Sequence, residues 1–276
     1  MIALVTGASS GIGEATARRL AREPGAQLVL VARREDRLRA LADEVGGATV
    51  VPCDLTDAGA PARIREAVES EHDRLDLLVN NAGSAWRASF ADGGWENVRR
   101  HMELNFDAVV RLTEALLPLL RASAPSAIVN VSSTAGRVAR AGSGAYSASK
   151  FALAGWTDSL YAEERPHGVH VGLVLPGFVQ TEGFPATELT GRRLTGWMVS
   201  SPDVAAEAIF EAGIGRRAER YAPRPYGLIA VLRVLAPGLL RRVGRGTAAA
   251  ALTTKTGADA ADAAAPGGSS DIAERS

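Results

Sequence analysis

The sequence predicts an α/β protein, a doubly wound parallel β-sheet flanked by helices. Short apolar runs at 2–5, 27–32 and 127–131 are continuous rather than alternating, the pattern of parallel strands buried on both faces. Stretches with few helix breakers, roughly ten residues or longer, separate them, as right-handed βαβ units require. At 276 residues the chain can enclose a sheet between two helical layers in one main domain.

The first strand, 2–5, runs into Thr6-Gly7-Ala8-Ser9-Ser10-Gly11-Ile12-Gly13 and a helix from Glu14 to about Arg22. Strand, glycine-rich turn and helix in that order let backbone amides and a helix amino terminus cradle a pyrophosphate. Gly7, Ser9, Ser10, Gly11, Ile12 and Gly13 are therefore candidate binding residues. A tight turn that merely needs glycine is the weaker reading of three glycines in this context. The second strand, 27–32, ends in Ala32-Arg33-Arg34. An NAD site usually places an acid here for the ribose hydroxyls, whereas an arginine accommodates the 2′-phosphate of NADP. No acid stands at this strand end, so Arg33 and Arg34 favour NADP over NAD. Arg37 and Arg39 follow, so a solvated basic helix start is the competing reading.

The third strand, 49–52, closes in Cys53-Asp54-Leu55. A helix over 61–71 leads to a fourth strand, 75–79, and to Asn80-Asn81-Ala82-Gly83, whose small residues let a cofactor lie close to the backbone. Residues 95–120 read as one long helix or a pair, with Asn105 among Leu104, Phe106, Val109 and Val110. In a buried helix its amide would need partners.

Ser133 follows the strand at 127–131, and 145–164 predicts one long helix. Tyr146 and Lys150, four apart, share a face of it, with Cβ atoms about 5–6 Å apart. Free tyrosine titrates near ~10, and a fixed adjacent cation lowers that value. Such a phenol can exchange a proton with an alcohol or carbonyl oxygen, and the Ser133 hydroxyl, at a strand's carboxyl end, could bond the same oxygen. A Tyr and a Lys at this spacing also occur on many helices without function, so the rest of the chain decides.

Arg165-Pro166-His167-Gly168 is a stop signal. A sixth strand, 169–175, closes in Pro176-Gly177-Phe178-Val179-Gln180-Thr181. Residues 182–201 have no clear period and suit a flexible flap over a pocket, before a helix over 203–212 and a short strand at 221–222. Trp86, Phe178, Phe184 and Trp197 would wall that pocket, which points to an apolar substrate. Residues 226–242 are apolar but interrupted by Pro237, too short for a membrane span. Their expected cover is the pocket rim or a second subunit, with a membrane surface as the less favoured one. Residues 247–276 hold almost no large apolar side chain and are expected to be disordered, leaving 1–246 as the domain.

Composition narrows the partners. With 31 basic and 31 acidic side chains the formal net charge is zero, so nucleic acid is not an indicated partner. Cys53 is the only cysteine, which excludes a disulfide framework and a cysteine-built zinc site. Met1 leads into a strand within one residue, without room for a signal segment, so a cytoplasmic protein is expected.

Taken together, these residues resemble the short-chain dehydrogenase/reductase family, in its compact single-domain branch, over about 2–221. The Thr-Gly-x-x-x-Gly-x-Gly turn matches at Thr6, Gly7, Gly11 and Gly13, and Asn-Asn-Ala-Gly at Asn80 to Gly83. The family's serine matches at Ser133, Tyr-x-x-x-Lys at Tyr146 and Lys150, the helix asparagine at Asn105, and Pro-Gly with a later threonine at Pro176, Gly177 and Thr181. The resemblance implies a Rossmann fold and an NADP-dependent oxidoreductase that interconverts a ketone or aldehyde and an alcohol. It implies Tyr146 as general acid or base, Ser133 orienting the substrate oxygen, and Lys150 holding the nicotinamide ribose and lowering the tyrosine pKa. Asn105 would position a water. Asp54 would contact the adenine, Asn80 and Gly83 the adenosine side, and Leu55 and Ala82 would also contact the cofactor. Pro176, Gly177, Val179 and Thr181 would also contact the cofactor, Thr181 at its carboxamide. No metal is implied, and a homodimer or homotetramer is expected. A non-catalytic NADP(H) sensor is the alternative, against which the intact Ser133, Tyr146, Lys150 and Asn105 set argues. An epimerase or dehydratase of the larger related branch is disfavoured by the glycine spacing.

Overall fold

The computed structural model describes residues 1–180, 182 and 199–238. Seven parallel strands form the sheet: β1 (Ile2–Thr6), β2 (Gln27–Ala32), β3 (Thr49–Pro52), β4 (Leu77–Asn80), β5 (Ser126–Val131), β6 (Val169–Pro176) and β9 (Glu219–Ala222). They lie in the order β3-β2-β1-β4-β5-β6-β9. The chain therefore winds outward from β1 in one direction and from β4 in the other. The carboxyl ends of β1 and β4 open a crevice at this reversal, where ligands bind in open sheets of this kind. Two further strands, β7 (Phe178–Val179) and β8 (Val199–Ser200), pair with each other just beyond β6.

Alternate residues of each strand feed opposite layers. Ala3 and Val5 pack with α1 (Gly11–Ala21), α2 (Glu35–Glu44) and α7 (Pro202–Gly213) through Leu20, Leu38 and Ile209. Ile2 and Leu4 pack with α3 (Ala60–Glu71), α5 (Ala108–Ala122) and α6 (Gly144–Glu164) through Ile64, Leu116 and Leu160. Burial on both faces is what the unbroken apolar runs require.

Where the boundaries moved, the cause is local. Helix α1 starts at Gly11 rather than Glu14, because the turn glycines themselves form its first turn. The stretch expected over 95–120 is α4 (Phe90–Met102), then a π-helical segment at Glu103–Asp107, then α5. Gly94, at φ 50°, bends α4. Helix α8 (Tyr226–Leu235) ends at Ala236, which leaves helical geometry directly before Pro237. Its Tyr226 is buried while Leu228, Val231, Leu232, Val234 and Leu235 are exposed. Among the described residues no helix is long and apolar enough to cross a membrane.

Only the ends of the expected flap are described. Val199 and Ser200 pair with Phe178 and Val179, and the Glu182 carboxylate is held by two arginines. Thr181, Phe184 and Trp197, like residues 239–276, lie outside the described residues.

Candidate active site

Four elements bring the predicted chemistry together at the carboxyl edge of the sheet. Helix α6 docks against the turn after β5 through backbone. Ser132 Oγ donates to the Lys150 carbonyl at 2.9 Å, and a Cβ at Gly136 would stand 2.7 Å from that same oxygen. This close approach places Lys150, 4% exposed, so that its Nζ donates to the Val131 carbonyl at 2.9 Å. One helical turn earlier the half-buried Tyr146 ring points its hydroxyl into the interior. Ser133, also buried, accepts a hydrogen bond from the Ala135 amide at 3.1 Å, and its hydroxyl pairs with that of Tyr146.

Asn105 sits in the π-helical segment with no exposed surface. The partners its burial demands are Ser84 and Ser149: Nδ2 donates to the Ser84 carbonyl (3.0 Å) and Ser149 Oγ (3.1 Å), and Oδ1 accepts from the Ser84 amide (2.9 Å). The segment after β4 is thereby pinned to α6. A side chain at Gly83 would come within 2.9 Å of Asn105 Oδ1 and 3.3 Å of Lys150 Nζ, so only glycine keeps this point open.

Electrostatics add loop cations to the expected picture. Burial holds Tyr146 above its ordinary value, and the groups that oppose this are Ser133, by hydrogen bonding, and then Arg140 and Arg87, by charge. Lys150 is itself pushed down to about 8 by burial, with its ammonium turned to the Val131 carbonyl. The cations that favour the phenolate are two arginines on loops, which no i, i+4 rule on α6 could reveal.

The glycine-rich turn is built as a cradle. Gly7 and Gly11 have φ of 67° and 58°, and a Cβ at Gly13 would lie 2.2 Å from the Gly7 carbonyl oxygen. Ser10 takes the N-cap position of α1 without a side-chain cap, so the first-turn amides keep their capacity for an anion. The Ile12 carbonyl is taken by Thr16 Oγ1. Thr6 and Asn81 tie the turn to the segment after β4: Thr6 Oγ1 accepts from the Asn81 and Ala82 amides, and Asn81 Nδ2 donates to the Thr6 carbonyl. These residues fit a dinucleotide pyrophosphate.

Beside them Arg34 grips the turn, donating to Ser9 Oγ (3.3 Å) and the Ser9 carbonyl (3.2 Å), while Arg33 projects into solvent 3.8 Å from Asp54. Arg34 and Arg37 also hold Glu182, at 3.2 and 2.6 Å, and together they lower its pKa, Arg37 more strongly. Burial alone would raise Asp54, but two hydrogen bonds from Thr56 and the charge of Arg33 outweigh it and hold the carboxylate low. Leu55 is buried, its carbonyl accepting from Arg111. The Asn80 side chain turns away from the crevice into a buried chain, donating to Thr113 and Asn130, whose own amide reaches Thr157. Gly177 lies under the Tyr226 ring, which a Cβ would meet at 2.3 Å, and Val179 is buried beside it.

Sequence reading overlooked His101, Arg87 and Arg140. His101, fully buried, donates through Nδ1 to the Asn97 carbonyl (2.7 Å), and its Nε2 accepts from the Trp86 amide (3.0 Å). With Nε2 accepting, Nδ1 carries the proton and donates. The ring also stands edge-on to both Trp86 and Tyr146. The one available signal was a histidine on the apolar side of a helix ahead of Asn105. Two of the four aromatics expected to wall the pocket are described, and each is covered by an arginine, Arg100 lying 3.8 Å from the Trp86 ring centre and Arg140 4.5 Å from that of Phe178.

A doubly wound sheet with a dinucleotide cradle and a Ser133–Tyr146–Lys150 cluster at its switch point defines a nucleotide-dependent oxidoreductase. The chain belongs to the short-chain dehydrogenase family, whose sequence description matches residues 1–189. It is 40% identical to oxidoreductase UcpA of Salmonella typhimurium over 207 residues, 73% of this chain and 74% of that one. It is 33% identical to a fatty acyl-CoA reductase of Acinetobacter baylyi over 244 residues, 86% and 81% of the two chains. Among solved structures, L-sorbose reductase from Gluconobacter frateurii, complexed with NADPH and L-sorbose, superimposes with a TM-score of 0.71 at 28% identity. That match covers 80% of this chain and 93% of the other.

Proposed function

We propose that the protein is an NADP-dependent reductase that converts a ketone or aldehyde to an alcohol, with Tyr146 as the general acid. The observation that carries this reading is the convergence of Ser133, Tyr146, Lys150 and Asn105, from three separate segments, beside the glycine cradle. The raised Tyr146 pKa keeps the phenol protonated at neutral pH, which is the form a reduction needs. As its proton passes to the substrate oxygen, the Ser133 hydroxyl and the charges of Arg140 and Arg87 stabilise the phenolate left behind. Bound NADPH supplies the hydride, and the protein orients it. Gly7, Gly11 and Gly13 would hold the pyrophosphate, and Lys150 the nicotinamide ribose.

The preference for NADP rests on Arg33 and Arg34 at the end of β2 and on the carboxylate already held by Arg34 and Arg37, which marks that corner as an anion site. The NADPH-complexed sorbose reductase agrees with it. A cytoplasmic homodimer or homotetramer remains part of the reading, supported by the family and by the exposed apolar side of α8. The test is NADPH oxidation with a panel of carbonyl compounds, alongside Tyr146→Phe. The variant should lose about 10²–10⁴-fold in turnover, the worth of a positioned acid, with NADPH affinity nearly unchanged. Activity retained at more than a few per cent would remove Tyr146 from that role.

A further inference from the structure

The segment between β4 and α4 is zipped onto one face of a helix. Asn97, His101 and Asn105 follow one another four residues apart along α4 and the π-helical segment that continues it, and so form a single stripe. Each holds backbone of the preceding segment. Asn97 Nδ2 donates to the Trp86 carbonyl at 3.4 Å, His101 Nε2 accepts from the Trp86 amide at 3.0 Å, and Asn105 takes both the amide and the carbonyl of Ser84. Towards the amino end of the same helix, a Cβ at Gly93 would stand 2.9 Å from that of Ala88, so helix and segment meet there with no room for a side chain.

His101 is the member of this stripe that reaches the chemistry. It has no exposed surface, and its ring meets two others edge-on, Trp86 at 5.0 Å and Tyr146 at 6.0 Å between centres. Its hydrogen bonds admit one protonation state. Nδ1 donates to the Asn97 carbonyl, and the lone pair of Nε2 is what the Trp86 amide finds, whereas a proton on Nε2 would set two N–H groups against each other. The surroundings act in the same sense. The charged and titratable groups about the ring are Arg100 on its own helix and Lys150 and Tyr146 on α6, and Trp86, from the segment, carries no charge. Burial first, then the charges of Arg100 and Lys150, outweigh the Asn97 bond and hold the imidazole below the usual histidine range. A leucine would fill the same space. What the imidazole adds is an acceptor for the Trp86 amide.

We propose that His101 is a positioning residue for the reaction: as a neutral Nδ1–H imidazole it fixes Trp86, a wall of the carbonyl substrate's pocket, beside Tyr146. Protonation of the ring would release that wall. This role rests on the reductase reading above, and it leaves the proton transfer itself to Tyr146.

Imidazole nitrogen NMR of the isotopically labelled full chain, with His101→Gln identifying the signal, reads the ring without turnover. The neutral Nδ1–H form is expected at neutral pH, and a charged ring or the opposite tautomer overturns the proposal. Hydrogen exchange of the Trp86 amide should quicken about 10-fold in His101→Leu, which removes the acceptor, and stay near wild type in His101→Gln, whose amide oxygen can replace Nε2. Kinetics then read the consequence, with NADPH and whichever of acetophenone, cyclohexanone and benzaldehyde is reduced fastest. His101→Leu should raise KM about 10-fold while kcat falls less than about 3-fold and NADPH affinity holds, and His101→Gln should keep KM within about 3-fold. Wild-type kcat/KM should fall as pH drops from about 7 to about 5, because the bond is present above the folded-state pKa and lost below it, and His101→Gln should lose that fall. Should His101→Leu not fold, the two pH profiles decide. An unchanged KM in His101→Leu, or an acid-side fall that His101→Gln shares with wild type, overturns the proposal and leaves the reductase reading intact. Faster Trp86 exchange in His101→Leu with none of the carbonyl compounds reduced leaves the hold on Trp86 standing and removes the reductase reading.

Discussion

Replacing Lys150 by Met should expose what the site costs the fold. The side chain is 4% exposed, and its ammonium has one acceptor among the described residues, the Val131 carbonyl. Burial pushes its pKa from 10.5 down to about 8. A base whose folded pKa lies below its unfolded value is a net cost at low pH, because both states are then protonated and only the folded one suffers the burial. The penalty is full below pH ~8, shrinks as the folded state releases its proton between ~8 and ~10.5, and vanishes above. About 2.5 units correspond to roughly 3 kcal/mol at pH 7, and linkage leaves roughly 1.5 kcal/mol of that at pH 9.5. Methionine keeps the volume and discards the charge, but it leaves the buried Val131 carbonyl without its donor, at about 1–3 kcal/mol. These terms nearly cancel at pH 7, so the informative quantity is the slope. Urea unfolding of both proteins without added nucleotide, at pH 7 and 9.5, should show wild type gaining about 2 kcal/mol on the variant as pH rises. A difference that stays flat within about 0.5 kcal/mol would mean that Lys150 titrates like an exposed lysine, and the argument from its burial would fall.

Glu182→Gln removes the carboxylate held by Arg34 and Arg37, so NADPH should bind up to about five-fold more tightly at low salt, while NADH is unaffected. Equal effects on both nucleotides in parallel titrations would show that Glu182 does not compete with a 2′-phosphate. Gly13→Ala and Gly155→Ala should act in opposite directions. The first drives a Cβ to 2.2 Å from the Gly7 carbonyl and should cost about 1–3 kcal/mol together with nucleotide binding, whereas Gly155 has open space and should gain about 0.5–1 kcal/mol. Thermal melts that rank the two variants the other way would contradict the packing. Changing Leu228, Val234 and Leu235 together to Glu leaves the buried Tyr226 in place and should lower the oligomeric mass measured by light scattering. Wild type pelleting with anionic vesicles, lost in that variant with no change of mass, would instead assign the face to a membrane surface.

The sequence alone determined the sheet and the cradle. Strands buried on both faces read as unbroken apolar runs, and positions such as Gly13 admit only glycine, so both leave a local trace. Tyr146 and Lys150 were legible for the same reason, since one helix fixes their relation. The tertiary structure decided what depends on contacts between segments distant in sequence. It turned the Asn80 side chain inward to Thr113 and Asn130, and it gave Asn105 its partners in Ser84 and Ser149. It also brought Arg87 and Arg140, from loops distant in sequence, to act on Tyr146. Electrostatic influence depends on distance through space and on burial, and neither is written in the spacing of residues along a chain.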